Sequence, residues 1–253
     1  MLIRAPREDI DTIEAAIGAV YQSPPQVNIK VRFVEASKDS LAALQNFPST
    51  INPENSQTRI LTLTSDQTRS IMKALESSSE NDLLAQGQVT TLSARQAQIQ
   101  SVDTQSIAMK INPAALTSPG IYSSNGTNDL LITTNLPTGP VIDVVPFVSQ
   151  DADTIKMRLT ATVTEFLGYE KGESVTTYVD GKEGKTAVPI PRFRIRQKSG
   201  DAIIKDGQTV VLFDNSAKIS DSKTPDAKDK NIVVFVTTTL IDSAGNRIHS
   251  DAQ

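Results

Sequence analysis

The residues best placed to do chemistry are three arginines at alternate positions, Arg192, Arg194 and Arg196. A guanidinium offers a rigid fork of donors to a carboxylate, so such a ladder suits an acidic partner or a neighbouring subunit. One wet strand face accounts for the same spacing. Asp143 and Glu165 sit at or near strand ends and offer a carboxylate pair, although strand-end acids are commonly solvated or bonded to turn amides. Asp151 with Asp153, and Asp226 with Asp229, are the acidic pairs that offer oxygens to Ca²⁺, but neither has the spacing of an EF-hand loop, and solvated turns account for both. The single histidine, His249, lies in a polar tail, which leaves no base for a Ser/His/Asp arrangement. With no cysteine there is no thiolate nucleophile, thiolate metal site or disulfide. No glycine-rich loop follows a strand and opens a helix, so nucleotide binding is unsupported. These residues predict no catalytic set, no cofactor and no metal.

What must position them is a pair of alternating runs, Val141 to Phe147 and Ile155 to Glu165. In the second, Ile155, Met157, Leu159, Ala161 and Val163 face one way while Lys156, Arg158, Thr160 and Thr162 face the other, a period of two. Ser149 to Asp153 between them is polar and turn-forming, which predicts a long antiparallel hairpin. The apolar face of Ile155, Met157 and Leu159 is the candidate assembly or partner face, together with the arginine ladder.

The 253 residues suffice for one large β domain or two smaller units. Hydrophobic residues make up 38% and aromatics 4%, a composition that favours extended polar β-structure over a dense enzyme core. A net charge of -4 argues against a nucleic-acid surface. No stretch reaches the roughly 20 apolar residues of a membrane helix, and residues 1–6 lack the apolar run of a signal peptide. A membrane β-barrel would escape that search, because each strand needs only about 9–11 alternating residues.

Leu2 and Ile3 read as a strand end, followed by a helix from Ala5-Pro6 with the stripe Ile10, Ile13, Ile17 and Val20. Gln26 to Glu35 alternates cleanly as a strand. Lys38 to Ser56 is mixed and is assigned no structure. Arg59 to Leu63 is a short strand leading into a Thr64-x-x-Gln67 capping box and a helix burying Thr68, Ile71, Met72 and Leu75. Strands follow at Leu83–Leu84, Val89–Leu92 and Gln96–Val102. Asn112 to Thr138 reads as a loop or loose hairpin, and Gly168 to Val188 as a polar, mobile loop. Asp206-Gly207 predicts a type I′ hairpin between Ile203–Lys205 and Thr209–Leu212. After a charged connector, Asp214 to Lys230, the run Ile232 to Leu240 reads as a strand covered on both faces. The fold class is therefore α+β, predominantly β, with long antiparallel hairpins and two helices.

The order and wording of these elements resemble the bacterial secretin family of type II secretion and type IV pilus systems. Val27-Asn28-Ile29-Lys30-Val31-Arg32-Phe33-Val34-Glu35 resembles the strand that opens the secretin domain, and residues 2–10 resemble the last strand and helix of the preceding N-domain. Residues 63–76, Val89 to Ile99, Gly139-Pro140-Val141 with Val144-Val145-Pro146, Asp206 to Val211 and Val233 to Thr237 continue the series in order. The resemblance implies three parts: the end of a truncated N-domain over 1–24, a secretin-like β domain over 25–245, and a polar tail over 246–253. It further implies a non-enzymatic protein acting by homo-oligomeric β-assembly with other secretion or pilus components. Its place would be the bacterial envelope, periplasm or outer membrane, with any leader lying ahead of Met1. Two departures bear on membrane association. Where Gly-Gly-Leu is expected after the Gln208-to-Val211 strand, the sequence is Leu212-Phe213-Asp214-Asn215. The segment Ser216 to Lys230 is hydrophilic apart from Ile219, with no apolar face for an interfacial helix. A soluble periplasmic binding module on the same scaffold, without a pore, is the alternative.

Overall fold

The computed structural model describes residues 25–51, 58–111, 131–179, 182–214 and 231–249, with Pro6, Ile10, Thr12 and Ile13 ahead of them. In chain order the elements are β1 (Gln26–Ala36), α1 (Lys38–Gln45), β2 (Ser49–Ile51), β3 (Thr58–Leu63), α2 (Ser65–Ser77), β4 (Asp82–Leu92), β5 (Ala97–Gln100), β6 (Asp103–Ile111), β7 (Leu131–Val148), β8 (Thr154–Val179), β9 (Lys182–Lys205), β10 (Thr209–Asp214) and β11 (Asn231–Ile241). The fold is α+β and predominantly β, with antiparallel sheets. The strand predicted at Leu2–Ile3 and the connector from residue 215 to 230 lie outside the described residues. Of the N-terminal helix, Ile10, Thr12 and Ile13 are helical, the Ile10 N–H donating to the Pro6 carbonyl at 3.1 Å.

Two sheets carry the structure. Sheet A has the order β2-β3-β10-β11-β1-β4; sheet B runs β5-β7-β8-β9, with β6 pairing further along the same side of β7 as β5. One face of sheet A, with Val27, Ile29, Val31, Phe33, Val234 and Val236, packs on the inner face of sheet B, with Ile142, Val144, Ile155, Met157, Leu159 and Ile204. The opposite face of sheet A, including Leu61, Val211, Phe213, Val233 and Phe235, is closed by Leu41 and Leu44 of α1 and Met72 and Leu75 of α2. β11 therefore buries residues of both parities, as its unbroken apolar run predicts. The predicted central hairpin is present, with Val141 opposite Thr162 and Val148 opposite Ile155.

The helices form where local chemistry dictates. Thr64 and Gln67 make the predicted capping box on α2. Met72 and Leu75 are buried, whereas Thr68 and Ile71 are only partly covered. The segment assigned no structure contains α1, capped by the Ser37 hydroxyl accepting from the Ser40 N–H, and the short edge strand β2. Asn81 ties the two helices together. Its Oδ1 accepts the Ser37 N–H at 2.9 Å, and its Nδ2 donates to the Leu75 carbonyl and the Ser40 hydroxyl at 3.0 Å each.

Several predicted boundaries are corrected. Leu83–Leu84 and Val89–Leu92 belong to one strand, β4, because the whole length pairs with β1. The predicted strand over Gln96–Val102 ends at Gln100, and a separate strand, β6, follows; Leu131 to Thr138, read as loop, is the partner of β6. Gly168 to Val188 is not a loop: β8 and β9 pair through it as far as Val179 opposite Lys182, with register shifts after Phe166 and Lys171.

Asp206-Gly207 does not make a hairpin either. β9 pairs with β8 in sheet B while β10 pairs with β3 and β11 in sheet A, so this turn is a corner between sheets. Gly207 takes φ +80° while Asp206 keeps a negative φ, and the Gln208 N–H donates to the Lys205 carbonyl at 3.1 Å, a type II rather than type I′ arrangement. The Asp206 carboxylate accepts the Leu240 N–H at 2.7 Å and fixes the corner to β11. A second corner, Ser93 to Gln96, carries the chain from β4 to β5. There the Val148 N–H donates to the Ser93 hydroxyl at 3.0 Å, and the Ala94 N–H donates to the Pro146 carbonyl.

Candidate functional site

Beyond the sandwich, β8 from Glu165 onward pairs with β9 alone, and β9 pairs with β8 alone along its entire length. The hairpin of β6 with Leu131–Thr138 of β7 lies against this ribbon. The Ala108 N–H donates to the Tyr169 hydroxyl at 2.8 Å, and Ile107, Ala108 and Ile111 are buried. Phe166 packs edge-on to Tyr169 and tilted to Phe193, with centroids 5.1 and 5.6 Å apart. β7 bends where the ribbons leave the sandwich. At the bend Gly139 has φ +129°, and a Cβ there would stand 2.5 Å from the Ser101 carbonyl oxygen.

The arginine ladder begins inside the sandwich rather than on a wet face. Cross-strand register places Arg196 opposite Val163 and Arg194 opposite Glu165, in the inward row that continues Ile204, Ala202, Gly200 and Lys198. Side-chain exposure rises from 11% at Arg196 to 34% at Arg194 and 50% at Arg192. Arg196 binds Glu35 of β1 at 3.3 Å and also Glu165, Arg194 approaches Glu165 at 3.8 Å, and Arg192 binds Glu170 at 3.1 Å. Next in the row, the buried Lys198 pairs with Asp214 at the end of β10. Burial holds the Lys198 pKa below the ordinary 10.5, against the attraction of Asp214. Two of these pairs, Arg196 with Glu35 and Lys198 with Asp214, join sheet B to sheet A where the apolar filling ends. Lys198, Glu35 and Asp214 were not singled out from sequence; the parity of Lys198 with Ala202 and Ile204 was the available signal.

The outer face of sheet B carries the residues that alternation would have buried. Ile195 is 66% and Ile203 68% exposed, and Phe147 stands with Lys156 and Ile203 in one cross-strand row. Ile155, Met157 and Leu159 are fully buried between the two sheets of the same chain, so the apolar surface they offer is covered from within. As a candidate partner face they are thus replaced by the opposite side of the same sheet.

The other chemical candidates are kept apart. Asp143 faces outward and accepts from the Gln96 and Gln98 amides at 2.9 and 3.0 Å, while Glu165 turns inward to the arginines. They do not form a carboxylate pair. Asp151 accepts from the Ser149 hydroxyl and the Asp153 N–H within the β7–β8 turn, which holds its pKa low. The ring Nδ1 of His249 lies 3.2 Å from the Asp206 carboxylate. Among the described residues no cluster of three or more His, Cys, Asp or Glu is placed to hold a metal. Among them, too, no helix is long and apolar enough to cross a membrane.

A family model, "Secretin: Bacterial type II and III secretion system protein", matches residues 74–225, more than half of the chain. No curated protein matches the sequence. Among solved structures, similarity is found to the type II secretin GspD from enteropathogenic Escherichia coli, with 14% identity and TM-score 0.41, covering 95% of this chain and 76% of that one. XcpQ, the type II secretion system secretin of Pseudomonas aeruginosa, is similar at 13% identity and TM-score 0.42, covering 95% and 65%. The InvG secretin domain of the Salmonella SPI-1 injectisome is similar at 14% identity and TM-score 0.35, covering 98% and 71%. Against Aeromonas hydrophila ExeD the chain spans 54% of the longer protein.

Proposed function

The chain belongs to the secretin family, and we propose that it works as a non-enzymatic envelope subunit of a type II secretion or type IV pilus system, acting by homo-oligomeric β-assembly in protein or pilus export. One observation carries this reading: β9 offers 24 residues of strand whose outer edge has no strand partner among the described residues. An open edge of that length presents a row of backbone donors and acceptors that another strand can satisfy. Closing such edges between identical subunits gives a barrel with no edge left. The exposed Ile195, Ile203 and Phe147 on the adjoining face add side-chain area that a neighbouring copy can cover. The half-exposure of Arg192, which binds Glu170 within the chain, supports a further contact there with an acid of that neighbour. Electron microscopy of the full-length protein in mild detergent tests the reading: rings are expected, and monomers under all conditions overturn it.

A second reading, a soluble periplasmic binding or accessory module without a pore, is favoured by a different observation. Ile155, Met157 and Leu159 are sealed inside the chain's own sandwich, so its core needs no partner. Carbonate-washed outer membranes separate the two readings: retention of the protein there refutes the accessory module, and complete release refutes the membrane-seated assembly.

A further inference from the structure

A groove of about 440 Å³ lies on the helix side of sheet A, between α2 and the part of β1 that no helix covers. Its lining includes the buried side chains of Met72 and Phe235, and Lys30 and Arg32 of β1 face Arg69 and Lys73 of α2 around them. Arg69 is paired with Asp66 at 3.1 Å. Lys30, Arg32 and Lys73 have no ion pair among the described residues, and all three are exposed. In a chain of net charge -4, this gathers Lys30, Arg32 and Lys73 around an apolar floor, against the single carboxylate Glu76 in the lining. Such a surface selects an occupant with carboxylates flanking an apolar stripe.

The chain contains such a segment. Residues 7–14 hold Glu8, Asp9, Asp11 and Glu14 against a single cation, Arg7. Ile10, Thr12 and Ile13 are helical, and at helical spacing Asp11 and Glu14 share a flank beside the stripe of Ile10, Ile13 and Ile17. The segment's carboxylates are opposite in sign to the cations of the groove, and in the sequence it stands ahead of Gln26, where β1 begins. We infer that the groove receives the acidic segment Glu8–Glu14 of a second copy of this chain. The contact joins copies through side chains and leaves the strand edges free.

The absence of cysteine makes the test direct. One full-length copy carries Glu76→Cys and a differently tagged copy carries Ala15→Cys; the two are mixed and mildly oxidised. A disulfide linking the two tags is expected, and Lys30→Glu/Arg32→Glu/Lys73→Glu should lower its yield roughly tenfold, the scale of three exposed ion pairs lost together. Reversal of Glu8, Asp11 and Glu14 to Lys in the other copy should restore it, which also shows that the reversed groove still folds. No bridge between tags, a bridge indifferent to charge reversal, or a doubly substituted chain closing only on itself at high dilution overturns the inference. The inference rests on the reading that copies associate, yet the two fail separately. Rings without the bridge fault this contact alone; a charge-dependent bridge without rings faults the edge assembly alone.

Discussion

The two halves of β8 and β9 are one pair of strands living under two regimes. From Ile155 to Val163, β8 has a sheet on its inner face and strands on both sides, and its odd-numbered residues are fully covered. From Leu167 onward the same strand has a neighbour on one side only and exposes Leu167 and Tyr169. In the sandwich, side-chain burial supplies the stability; in the ribbons, backbone pairing continues where burial thins out. A two-stranded ribbon in water is marginal by itself, and this one gains support from β6 and the aromatic group at its root. The contrast shows that strand length and burial are set separately: strand continues wherever the next ladder bond is available.

Substitutions at five positions break or sharpen that contrast. Leu159→Ala empties a fully buried position between the sheets and should cost about 2–5 kcal/mol of unfolding free energy, read by denaturant titration. Asp214→Ala leaves Lys198 charged and buried without its partner, and should cost about 3 kcal/mol, while Lys198→Met together with Asp214→Leu should come near neutrality. Titration adds a check on the sign. The folded Lys198 pKa lies below the unfolded 10.5, so between the two the unfolded chain holds the extra proton and stability rises with pH. Wild type should therefore gain on Lys198→Met as pH climbs towards 10.5, and a flat difference across that range would contradict the buried charge.

Asn81→Ala removes three hydrogen bonds that link α1 to α2 and should cost about 1–3 kcal/mol, seen in thermal unfolding as an earlier melt. The smallest effect is expected at Ile195→Ala, under about 0.5 kcal/mol in the isolated chain because the side chain is exposed. The same change should weaken association between copies, measured by sedimentation, if the outer face of sheet B is covered on assembly.

The period-two pattern made the sandwich legible in advance, because Val27 to Phe33 and Ile155 to Val163 each have one face to bury. Periodicity fails on the ribbons for the same reason. Ser174 to Thr176 pair with Lys185 to Ala187 strand to strand and none of the six is buried, so their sequence carries no apolar alternation to read. The signal that was there is Asp180-Gly181, which falls between two strands that do pair, whereas Asp206-Gly207 falls between strands in different sheets. A turn dipeptide specifies a change of direction, and only distant contacts decide whether the flanking strands meet. The arginine ladder was misread similarly. Alternation identified two faces of β9, but which one turns inward depends on Glu35, Glu165 and Asp214, brought from three other strands. Shared parity with Ala202 and Ile204 pointed the right way, at a range of several residues.

Sheet A places β1 beside β11, register running from Gln26 opposite Ile241 to Ala36 opposite Asn231. The middle of the molecule is thus a seam between strands some two hundred positions apart. Until residues 231–241 have left the ribosome, Val31 and Val210 have nothing between them, and neither apolar layer is complete. Closure of so long a loop is slow, because its entropy must be lost before the seam's contacts form. Pairing across that seam is therefore the last and slowest contact the two apolar layers wait for.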